Sequence, residues 1–267
     1  MRTIRRPTSN FTGSYAADPS AVLAPPSLRT EPYLSDSSVQ APLLTCEAVE
    51  KRYGEFRPAL MSLDFAIGRG EFVLVQGPAG CGKSVLLRLL AGLEAPSAGA
   101  IKIAGEDLAR MRPRALAQLR RSMGILPPGY SLLRGRSIVE NVALAAWVAG
   151  STLEEGMRRA RAALELVGLD VQRYGAAGCD ELASGQQQCA ALARALVNRP
   201  ALLLLDDLLT PLDEATGARL IGVLDQFSAA GVTVVVAMRT GAALTTSPAP
   251  WPARTRILRL LDGKVAQ

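Results

Sequence analysis

At 267 residues the chain has room for one large α/β domain or two small ones, and either would bury a substantial core. Hydrophobic residues make up 49% and aromatics 4%, which suits an aliphatic-rich fold and excludes a wholly disordered chain. The 30 basic and 24 acidic residues leave a net charge of +6, as common on ordinary soluble proteins as on those that meet nucleic acid or acidic lipid.

Residues 1–42 are rich in Pro, Ser, Thr and Ala without a sustained period and are expected to form a disordered tail. The basic start, Met1-Arg2-Thr3-Ile4-Arg5-Arg6-Pro7, has no apolar h-region, so export is not expected. Apolar runs such as residues 142–149 fall short of the roughly 18 residues that a membrane span needs. Cys46, Cys81, Cys179 and Cys189 show no C-x-x-C spacing and read as reduced thiols, with no metal site indicated.

Order is expected from residue 43, and residues 43–267 read as one domain. Residues 43–49 and 61–67 alternate as half-buried strands do, and residues 99–105 form another short strand. Together they predict an antiparallel β layer. Residues 71–75 predict a strand that runs into Gly77-Pro78-Ala79-Gly80-Cys81-Gly82-Lys83-Ser84 and then a helix from Val85. Residues 137–177 read as helical, with a capping box at Ser137 and Glu140, and an apolar helical period over 153–167 closed by Gly168. Helices are expected at 190–197 and 216–227, and fully apolar strands at 201–205 and 231–237, the pattern of a parallel sheet covered on both faces. Residues 256–265 predict a hairpin with an Asp262-Gly263 turn.

The octapeptide at Gly77 is a complete G-x-x-x-x-G-K-S/T loop in strand–loop–helix context, which predicts a phosphate cradle. Its backbone N–H groups would face the phosphates, Lys83 would reach the β and γ oxygens, and Ser84 would ligate Mg²⁺. The strand 202–205 ends in Asp206-Asp207, and Asp206 is the natural metal partner of Ser84.

From residue 43 onward the chain resembles the ATPase subunit of ATP-binding-cassette transporters. The stretch Glu181-Leu182-Ala183-Ser184-Gly185-Gln186-Gln187-Gln188-Cys189-Ala190 is similar to the family's L-S-G-G-E/Q-Q-Q-R signature, and Asp206-Asp207-Leu208-Leu209-Thr210-Pro211-Leu212-Asp213 to its D-E-P-T-x-x-L-D. Tyr53 matches the aromatic that stacks on adenine. Stretches at residues 95–99, 133–144 and 197–201 look most like the FtsE, LolD and MacB branch of the family.

The resemblance implies an α/β fold, a P-loop NTPase (RecA-like) core with an antiparallel β subdomain and an inserted α-helical subdomain at about 128–185. It implies ATP and Mg²⁺ as cofactors, held by Tyr53, Gly77, Pro78, Ala79, Gly80, Cys81, Gly82, Lys83, Ser84 and Val85, with Ser84 and Asp206 on the metal. It also implies a head-to-tail homodimer or heterodimer in which Ala183, Ser184, Gly185 and Gln186 form a loop closing over the other subunit's ATP. A separate transmembrane permease, FtsX-like or similar, would hold the protein at the cytoplasmic face of the plasma membrane. No nucleic-acid partner is expected, because the long coiled-coil insertion of cassette proteins that act on nucleic acid has no counterpart here. A P-loop kinase would have no use for the stretch from Leu182 to Arg194.

Several positions depart from the family pattern. Pro128 stands where a Gln would meet Mg²⁺ and the attacking water, and proline offers neither amide nor hydroxyl. Asp207 replaces the water-polarising Glu, and a setback of about 1 Å can cost roughly 10²-fold in rate. Arg239 stands in place of the γ-phosphate-sensing His, and it would act either as an arginine finger or as a sheet-edge side chain without that role. Ala183 and Ser184 replace the signature's Ser and first Gly, so a hydroxyl is lost or displaced. Asp207 and Arg239 are thus the candidate catalytic residues. The expectation is an ATPase with weakened hydrolysis, or a regulatory subunit that uses ATP as a dimer clamp. Two basic clusters, Arg112, Arg114, Arg120 and Arg121, then Arg158, Arg159 and Arg161, read as solvated helix surface rather than a partner-binding face.

Overall fold

The computed structural model describes residues 41–55, 58–129, 132–210, 212–240 and 251–266. The expected tail, but for residues 41 and 42, lies outside them.

Two sheets carry the fold. The smaller is antiparallel, in the order β2-β1-β4-β5, from β1 (Leu44–Lys51), β2 (Leu60–Ile67), β4 (Ala98–Ile103) and β5 (Glu106–Asp107). The larger runs β10-β9-β3-β8-β7-β6, from β3 (Phe72–Gly77), β6 (Met123–Leu126), β7 (Leu202–Asp206), β8 (Thr233–Arg239), β9 (Arg256–Leu261) and β10 (Lys264–Ala266). Its strands are parallel except β10, which folds back on β9 through a turn with Asp262 at φ 49° and Gly263 at φ 77°. Both central residues are left-handed, as the hairpin's tight turn requires.

The larger sheet divides its apolar residues by parity, because successive strand side chains point to opposite faces. Val73, Val75, Leu202, Leu204, Val235 and Ala237 face one core, shared with β1, β2, β4 and helix α1 (Lys83–Leu90). Phe72, Leu74, Leu203, Leu205, Val234 and Val236 face the other, shared with α3 (Ile138–Val148), α4 (Leu153–Leu166), α6 (Ser184–Leu196) and α7 (Glu214–Ala229). A strand buried on both faces cannot alternate with polar residues, which is why β7 and β8 read as continuous apolar runs.

A basic helix α2 (Pro113–Arg121) precedes β6, and a single-turn helix α5 (Val171–Tyr174) follows α4. The Ser137–Glu140 capping box opens α3. Asn141, wholly buried on that helix, accepts from Leu133 N–H at 2.6 Å and donates to the carbonyls of Leu133, Arg136 and Ser137, fixing the approach from β6.

Three helices begin earlier than the sequence reading placed them, α1 at Lys83 rather than Val85. The stretch 183–186, read as a loop, supplies the cap and first turn of α6, and α7 starts at Glu214 behind the Asp213 cap. The sequence signal at α6 was hidden because Ala183 is no capping residue.

Candidate nucleotide-binding site

The parallel strands end on one edge, where ligands of such sheets gather. Gly77 at the end of β3 pairs with Arg239 at the end of β8, and Asp206 at the end of β7 pairs with Ala237 of β8. This register brings the glycine loop, the Asp206-Asp207 pair and Arg239 together.

The loop's shape depends on its glycines. A Cβ at Gly77 would sit 2.1 Å from the Leu260 carbonyl oxygen, so the hairpin's close approach excludes any side chain there. Gly80 and Gly82 hold φ of 77° and 103°, left-handed values at which other residues are strained. Pro78, Ala79 and Gly80 are exposed at the tip, while Cys81 is buried beneath it and Val85 is half-buried on the helix.

Lys83 opens α1 and is only 7% exposed, yet its ammonium is fully engaged. Nζ donates to the carbonyls of Gly77 at 2.8 Å and Pro78 at 2.7 Å and approaches the Cys81 sulfur at 3.5 Å. The positive group therefore lies inside the curl of the loop, at the N-terminus of a helix, where anions are favoured.

Asp206 is 6% exposed, and burial pushes its carboxyl above the usual Asp range. A hydrogen bond with Ser84 and the charge of Lys83 act the other way, and neighbouring Asp207 adds to the rise. Its Oδ2 is buried without a hydrogen-bond partner among the described residues. A hydroxyl beside a carboxylate with an unspent oxygen is a hard-oxygen donor set, and it fits Mg²⁺.

Asp207 sits at φ 52°, with its N–H donating to Ala237 O at 2.9 Å. Thr210 donates its hydroxyl to Oδ1, and Arg239 Nη2 lies 3.4 Å from Oδ2 and 3.3 Å from Thr210 Oγ1. The two candidate catalytic side chains are thus paired with each other. Arg239 is exposed at the end of β8, a central strand between β3 and β7.

Gln188, 3% exposed on α6, donates to the carbonyls of Leu208 at 3.0 Å and Asp207 at 3.4 Å, tying the signature helix to the same loop. Neither Thr210 nor Gln188 stood out in the sequence. The i+3 spacing of Thr210 from Asp207 was the only local signal, of the kind that Ser and Thr use in turns.

Ala183 caps α6 without a side-chain oxygen, and Gln186 Oε1 accepts from its N–H at 3.0 Å. Ser184 follows as the exposed first helical residue, and Gly185 is half-buried. Pro128 is exposed beyond β6.

Tyr53 is 44% exposed, with the Lys51 ammonium 5.0 Å from its ring centroid and its hydroxyl donating to Glu94. Arg88 of α1 also donates to that hydroxyl, at 3.3 Å. Tyr53 is therefore linked to the glycine loop's helix through Arg88.

The basic clusters differ. Arg158 and Arg159 are paired with Glu155 within α4, whereas α2 carries no acidic residue. The four cysteines are buried and free. Among the described residues no helix is long and apolar enough to cross a membrane.

A family model described as ABC transporter matches residues 60–210. The cell division ATP-binding protein FtsE of Escherichia coli K12 is 37% identical over 197 residues, spanning 73% of this chain and 87% of the relative. The lipoprotein-releasing system ATP-binding protein LolD of Chromohalobacter salexigens is 34% identical over 229 residues, 84% of this chain and 93% of the relative. Among solved structures, the dimeric bacterial ABC transporter cassette MJ0796 superposes with a TM-score of 0.76 at 30% identity, over 84% of this chain and 97% of that one. A dimeric post-hydrolysis state of the same cassette, bound to ADP and Pi, gives 0.75 at 29% identity over the same shares.

Proposed function

Since this chain belongs to the ABC transporter family, we propose that it is the Mg-ATP-binding subunit of a membrane complex of the FtsE and LolD kind. The observation that carries this reading is the buried Asp206 oxygen beside Ser84, unpartnered among the described residues, next to a glycine loop whose ammonium is already directed inward. Ser84 and Asp206 would hold Mg²⁺, which when bound neutralises charge on the phosphates. Lys83 and the amides of residues 79–84 would hold the triphosphate, with Tyr53 on the adenine side.

Two subunits, alike or not, would then close head to tail, each offering the α6 start, from Ala183 to Gln186, to the other's nucleotide. Membership of a family described as ABC transporter, and a relative's place in a lipoprotein-releasing system, support docking onto a separate permease at the cytoplasmic face of the membrane. Hydrolysis would be slow. Pro128 has no amide to offer, Ala183 has no hydroxyl, and both carboxylate oxygens of Asp207 are engaged.

Sedimentation with and without Mg-ATPγS tests the reading. Saturable binding that converts monomer to dimer in the wild type, and fails in Lys83→Ala, is the expected result. Absence of binding at millimolar analogue overturns it. Single-turnover phosphate release set against Lys83→Ala separates a slow ATPase from a clamp that does not hydrolyse.

A further inference from the structure

Residues 109–121 hold Arg110, Arg112, Arg114, Arg120 and Arg121 and no acidic residue, a charge of +5 in a chain whose total is +6. The nucleotide site uses none of them. Helix α2 turns Leu116 and Leu119 toward the core shared with β1, β2 and β4. Its outer stripe, Arg114, Gln118 and Arg121 at i, i+4 and i+7, is exposed. The side chains of Arg112, Arg114 and Arg121 have no hydrogen bond or ion pair among the described residues. Arg110, 89% exposed, pairs with Asp107 at 3.3 Å, and Arg120 donates to the Gly92 carbonyl at 3.4 Å.

Folding accounts for only part of this pattern. Arg120 and Arg121 lie in the last turn of α2, where a cation meets the negative end of the helix. Arg112 and Arg114 lie at the other end. Arg112 is the N-cap and makes no side-chain bond to the helix, and no carboxylate sits in the first turn. Cations at the positive end of a helix oppose its dipole, so the stability of the chain gives no reason for them to be there.

We propose that the exposed arginine face of α2 and its cap is a docking surface for the anionic headgroups of a lipid bilayer. The choice of a bilayer rests on the reading of this chain as a subunit of a membrane complex. Residues 109–126 include no aromatic side chain, so a single-stranded nucleic acid would find no stacking platform. The leucines of α2 are spent on the core, so a peptide would have charge alone to hold it. Residues 1–40 hold four arginines against Asp18, Glu31 and Asp36, and so offer no acidic run to neutralise the face. A fluid headgroup layer needs no matching shape, and each arginine close to it adds to the attraction. Such an attraction is reversible, so it would orient a subunit held by its partner rather than anchor it alone.

Co-sedimentation of the full chain with phosphatidylcholine vesicles, with and without phosphatidylglycerol, tests the proposal in the absence of nucleotide. Wild type should bind the vesicles that contain phosphatidylglycerol, and binding should fall as salt rises. The variant Arg112→Gln, Arg114→Gln, Arg121→Gln should bind them about fivefold more weakly for each charge removed. Its melting temperature should be unchanged or slightly raised. A charge-matched variant on α4, Arg158→Gln, Arg159→Gln, Arg161→Gln, should bind nearly as wild type does.

No binding to either vesicle, or equal binding to both, overturns the proposal. So does an α2 variant that binds like wild type. Equal loss in the α4 variant overturns it as well, because net charge would then be the cause. Tighter binding to duplex DNA than to the vesicles, lost in the same α2 variant, would make the face a nucleic-acid surface instead. None of these measurements involves nucleotide, so failure here leaves the Mg-ATP reading standing.

Discussion

The Ala183 N–H donates to Gln186 Oε1 at 3.0 Å, and Ala183 returns nothing, because it carries no oxygen. This is half of a reciprocal helix cap, and the missing half is a hydroxyl to the N–H of Gln186. Ala183→Ser restores it. The variant should gain about 1 kcal/mol, a rise of roughly 2–4 °C in melting temperature. Thermal denaturation without nucleotide reads this directly, and an unchanged or lowered midpoint would show that the α6 start is not strained by its cap.

Gly77 and Gly80 should respond differently to the same added methyl. At Gly77 the new Cβ meets the Leu260 carbonyl at 2.1 Å and the Cys81 sulfur at 2.6 Å, so Gly77→Ala should cost about 3 kcal/mol or more. At Gly80 nothing among the described residues lies within 4 Å, and the left-handed backbone is what opposes Ala, at about 1–2 kcal/mol. Urea unfolding of the two variants should therefore separate clearly. Gly80→Ala should still lose nucleotide affinity, since its methyl enters the open side of the loop.

Asp206 links pH to stability with a definite sign. Burial raises its carboxyl above the ordinary value of 3.8, so the folded chain binds a proton that the unfolded chain has released. Its contribution is fully present below that value and is lost as pH rises through the raised one. Asp206→Asn, which cannot ionise, should raise the melting temperature near pH 7 and change it little near pH 3. The same variant should abolish the Mg²⁺ dependence of nucleotide binding. A lower melting temperature at neutral pH would show that the ionised carboxylate is a net stabiliser.

Glu94 carries the opposite sign. The Tyr53 hydrogen bond, with Arg88 and Lys51 alongside, lowers its carboxyl from 4.5 to about 2. The resulting stability is present above 4.5 and disappears as pH falls toward 2. Glu94→Gln should cost roughly 1 kcal/mol at neutral pH, the discount reflecting partial exposure, and nothing in strong acid. Denaturant midpoints at several pH values measure the difference.

Asn141 should be among the costliest polar truncations. Asn141→Ala strands the Leu133 N–H and the carbonyls of Leu133 and Arg136, while Ser137 O keeps the backbone N–H of residue 141, for an expected loss of about 2–3 kcal/mol. Equilibrium unfolding checks the figure, and a cost below about 1 kcal/mol would mean that water replaces the side chain.

Much of the fold could be read locally. Alternation along residues 61–67 marked β2, the Asp262-Gly263 pair marked the last hairpin, and Ser137 with Glu140 marked the start of α3. The α6 start was misread because Ala183 gives no capping signal, and residue 128 was recognised by position alone. Gln188 was passed over because a glutamine that bonds carbonyls 19 and 20 residues away looks like any polar helix residue.

By itself, then, the amino-acid order determined the glycine loop, the strand before it and the helix after it, because hydrogen bonding and steric freedom there depend on neighbours a few residues apart. Which anion Arg239 meets was decided only in three dimensions. Its partners lie 32 and 29 residues earlier, and they reach it because parallel pairing of β7, β3 and β8 aligns their ends on one edge. Strand register is a property of the whole sheet, set by which apolar faces can be buried together, and no local stretch of chain encodes it.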